Sequence, residues 1–246
     1  MRNVKLIYQY DGSKYHGFQR QKNKDTVQGD IEKLIFDRFN QKINMISSGR
    51  TDKGVHALEQ VSNFTISKNI PLFAIKNQIN KSLIGKVKIL DIEEINDSFN
   101  ARFDAKSRTY EKKKKKESKI TPFEVDYVSP INHDINVDKL KLILQPIIGK
   151  HNFISFSKKD NALRNPVREI YDINCYYNEN EEKYYIEIRG NSFLKTMIRI
   201  IIGSALAIYS NKQDTNYITF KLENPSEDGH KIIAPSNGLY LYKIEY

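Results

Sequence analysis

A single cysteine, Cys175, occurs in 246 residues. A disulfide framework and any metal site built on several cysteines are thereby excluded. Cys175 lies between Asn174 and Tyr176 in an apparent strand and reads as a small buried residue. The five histidines, His16, His56, His133, His151 and His230, are scattered without ligand spacing, so no metal centre is expected. They give no local support to a Ser–His or Cys–His nucleophile either. No Gly-x-Gly-x-x-Gly or phosphate-loop string occurs, which removes the common nucleotide-binding motifs. Long hydrophobic runs are also missing. The longest, Met197–Tyr209, is interrupted by Arg199 and falls short of the roughly 20 residues that a bilayer requires, so it predicts a buried helix. Met1–Lys5 leads directly into a strand pattern and lacks the apolar stretch of a signal peptide. These absences make a soluble protein of a reducing, cytoplasmic compartment the expectation.

Positive charge is abundant. Lys plus Arg number 40 against 30 Asp plus Glu, a formal net charge of +10 with a pI near 9.4. That balance suggests a polyanionic partner, most often nucleic acid, although a codon bias toward Lys, Asn and Ile produces the same surplus. Lys outnumbers Arg 30 to 10. Where Lys is the default cation, each Arg is a candidate for planar, bidentate work; Arg50, Arg102, Arg108, Arg164, Arg168 and Arg199 stand out by position. Lys112–Lys116 is the one low-complexity run, read as a solvent-facing edge strand in preference to a phosphate-contacting one. At 39% hydrophobic and 11% aromatic residues, the chain has too many core formers to be disordered.

Periodicity gives the organisation. Val4, Leu6, Tyr8 and Tyr10 alternate as a half-buried strand ending at Asp11-Gly12. A polar loop over residues 11–25 carries Tyr15, His16, Phe18 and Arg20. Thr26 reads as an N-cap for a helix through Val27, Ile31, Leu34, Ile35 and Phe39. Strands are predicted over 42–47, 61–66 and 87–95, with another over 98–103, and a helix begins at Pro71. In the second half, helices are expected over 137–148 and 193–210, and strands over 107–115, 167–177, 183–189 and 238–246. Such mixing fits α+β, with antiparallel sheets flanked by helices, better than a doubly wound sheet. The chain divides into halves 1–105 and 106–246.

One loop carries the chemistry. Thr51-Asp52-Lys53-Gly54 reads as a type I turn with Gly last, and capping that turn is the bland role for Asp52. Arg50 lies two residues away, so a carboxylate and a guanidinium share one tight loop. Gly49 and Gly54 flank it and allow a ligand to approach the backbone closely.

Gly49-Arg50-Thr51-Asp52-Lys53-Gly54-Val55-His56-Ala57, followed by Gln60-Val61, closely resembles the signature of the TruA family of tRNA pseudouridine synthases. The nine-residue string is too long for chance. Tyr10–Gln21 resembles the family's N-terminal block, with Phe18 where Trp is common, and Thr26-Val27-Gln28 the start of its first helix. Phe99–Phe103, Ser107–Tyr110, Asn191–Arg199 and Gly238–Leu241 are similar to its later blocks. Two departures stand out: the lysine run follows Tyr110 where an apolar, aromatic strand is usual, and Lys195-Thr196 stands where histidine or aromatic residues are common.

The resemblance implies the pseudouridine synthase fold with an active-site cleft between the halves. The first half carries the Asp loop, and the second carries the substrate tyrosine and the Arg helix. It implies a cofactor-free isomerisation of uridine to pseudouridine at positions 38, 39 and 40 of the tRNA anticodon stem-loop, performed by a homodimer. The base leaves C1′, turns over and rejoins through C5. Asp52 is then the catalytic carboxylate, a group suited to charge developing at a sugar; whether it attacks C1′, attacks C6 or abstracts a proton stays open. Arg199, inside an apolar helix, is the expected partner that keeps it ionised, with snorkelling from the helix edge as the bland alternative. Tyr110 is expected to stack on the extruded uracil, Arg50 to contact RNA or occupy the space left by the extruded nucleotide, and Leu239 to wall the uracil pocket or simply to fill core. A tRNA-binding or RNA-chaperone protein without turnover on the same fold is the second reading, and the intact set of Asp52, Arg50, Tyr110 and Arg199 argues against it.

Overall fold

The computed structural model describes residues 1–161 and 164–246. In chain order the elements are β1 (Arg2–Tyr10), α1 (Val27–Phe39), β2 (Ile46–Ser47), β3 (His56–Ile66), α2 (Leu72–Ser82), β4 (Val87–Ile95), β5 (Ser107–Lys116), β6 (Ser129–Ile131), α3 (Val137–Leu144), β7 (Gly149–Asn152), β8 (Val167–Asn178), β9 (Lys183–Gly190), α4 (Met197–Tyr209), α5 (Tyr217–Glu223) and β10 (Leu239–Glu245). They form two compact units, Met1–Lys106 with Tyr240–Tyr246, and Ser107–Leu239. Each is a mostly antiparallel sheet with helices, the α+β arrangement that the pattern predicts. Among the described residues no helix is long and apolar enough to cross a membrane.

In the first unit β1 pairs antiparallel with both β3 and β4. β2 pairs antiparallel with β3, and β10 joins β3 in parallel, Tyr240 opposite His56 and Leu241 opposite Ala57. The alternation in β1 buries Val4, Leu6, Tyr8 and Tyr10. Thr26 caps α1 as expected, its hydroxyl accepting from Gly29 N (3.3 Å), and Val27, Ile31 and Ile35 are buried. The stretch 11–25 is less polar in effect than its composition suggests, because Tyr15 and Phe18 are core residues.

Several boundaries differ from the pattern. The strand expected over 42–47 shrinks to two residues, because Met45 N–H goes to the Glu32 carboxylate (2.8 Å) and not to a neighbouring strand. The segment 98–103 is turn, not strand: Asn96 Oδ1 accepts from Ser98 N and Asn100 Oδ1 from Arg102 N, both at 3.0 Å, the Asx geometry that competes with a ladder. Asn3 and Asn63 fasten this turn by donating to Phe99 O. α3 stops at Leu144 and tightens into a 3₁₀ turn over Gln145–Ile147, since Pro146 offers no N–H. α4 starts at Met197 and not Phe193, because Thr196 takes a left-handed conformation (φ 64°). β6, β7 and α5 have no counterpart in the pattern; segments this short show no period.

In the second unit β9 lies between β5 and β8, β7 pairs with β8, and β6 runs parallel to β5. α3 packs on β8 and α4. The lysine run corrects the expectation of a solvent-facing edge. β5 has β9 on one side and β6 on the other, and Lys112 and Lys114 are only 1% and 4% exposed. Strand alternation puts them on the face of their cross-strand partners Ile186 and Tyr184. Backbone carbonyls receive their ammonium groups: Pro235 O and Asn237 O for Lys112, both at 2.7 Å, and Pro130 O at 3.1 Å for Lys114. Lys113, Lys115 and Lys116 pair with Glu111, Glu124 and Asp134.

Burial lowers the Lys114 pKa to about 8. Below that value both the folded and the unfolded chain hold the proton, and the cost of burying the charge is fully felt. Above it the folded state releases the proton first, so the cost is relieved as pH climbs toward the ordinary lysine value. Lys114→Met removes this titration. Its stability advantage over wild type is expected to narrow by about 2–3 kcal/mol between pH 7 and 10, read by urea denaturation of both proteins across that range. A pH-independent difference would remove the buried charge from Lys114.

Candidate active site

The loop between β2 and β3 is built by the residues that flank it. Tyr10, the last residue of β1, places its hydroxyl 2.8 Å from Thr51 Oγ1, and Phe18 N donates to Thr51 O at 3.1 Å. Gln60, fully buried in β3, donates from Nε2 to Gly49 O (3.0 Å) while its Oε1 accepts from Ser48 Oγ (2.7 Å) and Val61 N (3.2 Å). Gly12 fits so closely under Val55 that a Cβ there would stand 2.0 Å from Val55 O. Its N–H donates to His56 Nδ1 (3.1 Å). The N-terminal block and the signature string, some 40 residues apart in sequence, are therefore one structure around Asp52.

Asp52 itself is half-buried, with Thr51 buried before it and Lys53 exposed after it. The turn is displaced by one residue from the expected one. Asp52 O accepts from Val55 N (3.2 Å), and Gly54, the third residue, has φ +79°, the signature of type II and not type I. β3 then carries one extra residue against β1: Tyr8 faces Gln60 while Tyr10 faces Ala57. Such bulges re-aim side chains beside functional loops. Arg50 is exposed on the same loop. His56 is buried, stacks on Tyr240 (centroids 4.8 Å apart) and lies 3.2 Å from Asp11 Oδ1. It braces the loop's end.

In the second unit Tyr110 is half-buried on β5, its ring edge-on to Phe193 at 5.2 Å. Arg108, two residues before it, is buried and donates to Asn191 O. Arg199 is half-buried in α4: its Nε donates to Ala234 O at 2.8 Å, and Ala234 N donates back to Arg199 O at 2.9 Å. Leu239 is buried, directly after a Gly238 whose φ is +68°. Arg199 and Leu239 are thus linked through the segment 234–238. The sequence gives Tyr10 and Gln60 no role in supporting the loop, and it reads Lys112 as part of a solvent-facing run. A glutamine at a core position of a strand was the one available signal; the other two needed the tertiary contacts.

A family model described as tRNA pseudouridine synthase matches residues 6–104 and 143–246. The chain belongs to the tRNA pseudouridine synthase family. It is 34% identical over 249 residues to tRNA pseudouridine synthase A 2 of Bacillus cereus and 35% identical over 248 residues to tRNA pseudouridine synthase A of a Thermoanaerobacter species, with 100% of both chains covered in each case. A Wolbachia pipientis tRNA pseudouridine synthase A is 34% identical over 244 residues, covering 98% of this chain and 99% of that one. Among solved structures, one of a Cbf5–Nop10–Gar1 complex is similar at TM-score 0.34 and 12% identity, over 83% of this chain and 53% of that one, too slight for any inference. The family match contains the Asp52 loop, Arg199 and Leu239. The intervening residues 105–142, with Tyr110 and the lysine run, lie outside it.

Proposed function

We propose that the protein isomerises uridine to pseudouridine in tRNA, at positions 38, 39 and 40 of the anticodon stem-loop, with Asp52 as the catalytic carboxylate. The observation that carries this is membership of the tRNA pseudouridine synthase family together with an Asp52 loop held by three separate parts of its own unit, β1, the Phe18 segment and Gln60. A fixed carboxylate is what the chemistry asks for, since effective positioning supplies much of a barrier reduction. In the isomerisation the C1′–N1 bond breaks, a C1′–C5 bond forms, C5 loses its hydrogen as a proton and N1 gains one, so no redox partner is needed. Tyr110 is assigned to the uracil ring, Arg199 to charge balance in the reaction, Arg50 to RNA and Leu239 to the wall of the uracil pocket. The reading includes a cytoplasmic homodimer, checked by light scattering against the 28.8 kDa chain mass.

The test is tritium release from tRNA transcripts labelled at uracil C5, with free uridine as the control. Release from tRNA alone is expected. Release from free uridine at a comparable rate would point to a small-substrate enzyme instead. With a formal charge of +10, tRNA affinity is also expected to fall about 10³-fold or more between 50 and 200 mM salt. Filter-binding titrations measure this, and an affinity flat in salt would remove RNA as the substrate.

A further inference from the structure

The segment Ala234–Gly238 is gripped from several sides within the second unit. Arg199 Nε holds Ala234 O, and Gly203 one turn further along α4 lets the segment approach so closely that a Cβ there would stand 2.9 Å from Ala234 N. Ser129 Oγ donates to Asn237 O (2.7 Å), and Asn237 Nδ2 donates to Val125 O and Val128 O, both at 2.9 Å. Gly238 O accepts from Lys113 N (2.7 Å), and a Cβ on Gly238 would stand 2.6 Å from Lys113 O. The remaining grip is Lys112, whose Nζ reaches Pro235 O and Asn237 O together.

We propose that Lys112 is a positioning residue for the isomerisation: its buried ammonium ties the segment that leads into Leu239 to the same face of β5 that carries Tyr110. The inference rests on the assignment of Tyr110 and Leu239 to the substrate. β5 pairs with β9 without a register break from Arg108 to Lys114, so Tyr110 and Lys112 project to one face. A buried ammonium is costly unless it is well satisfied; here desolvation, with Lys114 and Arg199 nearby, pulls the Lys112 pKa well below the ordinary lysine value. An apolar side chain would fill the same position without that cost, but it would leave two carbonyls unheld. The neighbouring Lys114 is the natural comparison. It has the same side chain, faces the same way and is buried almost as deeply, yet its ammonium goes to Pro130 O, outside the 234–238 segment.

The experiment compares Lys112→Met with Lys114→Met in the full chain at a temperature where both are folded by circular dichroism. Tritium release gives kcat and KM, and filter binding gives tRNA affinity. For K112M, kcat is expected to fall about 10²-fold, the scale of a misplacement of about 1 Å, with KM and tRNA affinity within about 3-fold of wild type, while K114M keeps wild-type kcat. A fully active K112M beside an active wild type overturns the proposal alone. Equal losses in both variants, tracking their thermal midpoints, overturn it as well, because they reduce Lys112 to a structural role. A wild type silent on tRNA overturns the underlying reading and the proposal with it. Should K112M fail to fold, Lys112→Gln, which keeps a donor for one carbonyl, is judged by the same criteria.

Discussion

Asp52→Asn is expected to reduce tritium release from C5-labelled tRNA by at least about 10³-fold, in the range seen when a group that acts in the transition state is lost. Affinity for tRNA should stay within a few-fold of wild type. The substitution is nearly isosteric, and the turn is closed by the Asp52 backbone carbonyl, which accepts from Val55 N. The loop is also tied down elsewhere, at Gly49, Thr51 and Val55, so the backbone has no reason to move. Phosphate contacts from lysines and arginines supply most of the affinity for RNA, and they lie outside this change. A variant retaining even a tenth of wild-type turnover would take Asp52 out of the catalytic role. A wild type that binds tRNA tightly and releases nothing would favour the binding-protein reading.

Gly12→Ala is expected to be nearly as damaging, although Gly12 touches no substrate group in this reading. Its added methyl would stand 2.0 Å from Val55 O and 2.4 Å from Val55 C. Both are backbone atoms, so no flexible side chain can swing away. Relief requires the start of β3 to retreat from the end of β1, and that movement carries the Asp52 turn with it, since Val55 closes the turn. A stability loss of about 3 kcal/mol with a fall in kcat of about 10²-fold is expected. Gly85→Ala is the control: φ there is +74° and, among the described residues, nothing lies within 4 Å of the new Cβ. It should cost only about 1 kcal/mol of backbone strain and leave turnover unchanged. Urea denaturation and tritium release on both variants decide the matter, and a G12A enzyme as stable and active as G85A would refute the coupling.

The two effects show different limits of legibility. The Asp52 loop was readable as a loop because its signal is written locally: a carboxylate, a guanidinium and two glycines within six residues, inside a string long enough to be specific. α1 was readable for a similar reason. Thr26 and the spacing of Val27, Ile31 and Ile35 are short-range properties of the chain, and tertiary packing agreed with them. The strand over 98–103 failed because its apolar spacing looks extended, while Asn96 and Asn100 offer the backbone closer partners than a ladder would. β6, β7 and α5 failed because three, four and seven residues carry no period.

What the sequence determined by itself is therefore the family, the α+β class, the presence of the Asp52 loop and the long amphipathic elements, all of which are legible in residues close in the chain. Tertiary structure alone decided that Gly12 underlies Val55, that Gln60 holds Gly49, that the closing strand pairs with β3 in parallel, and that Lys112 and Lys114 are interior. Five consecutive lysines have no local preference for burial, and composition argues for solvent. The decision lies with carbonyls far along the chain, Pro235 and Asn237 among them. Only folding brings such acceptors to an ammonium, and their presence makes the burial of Lys112 tolerable.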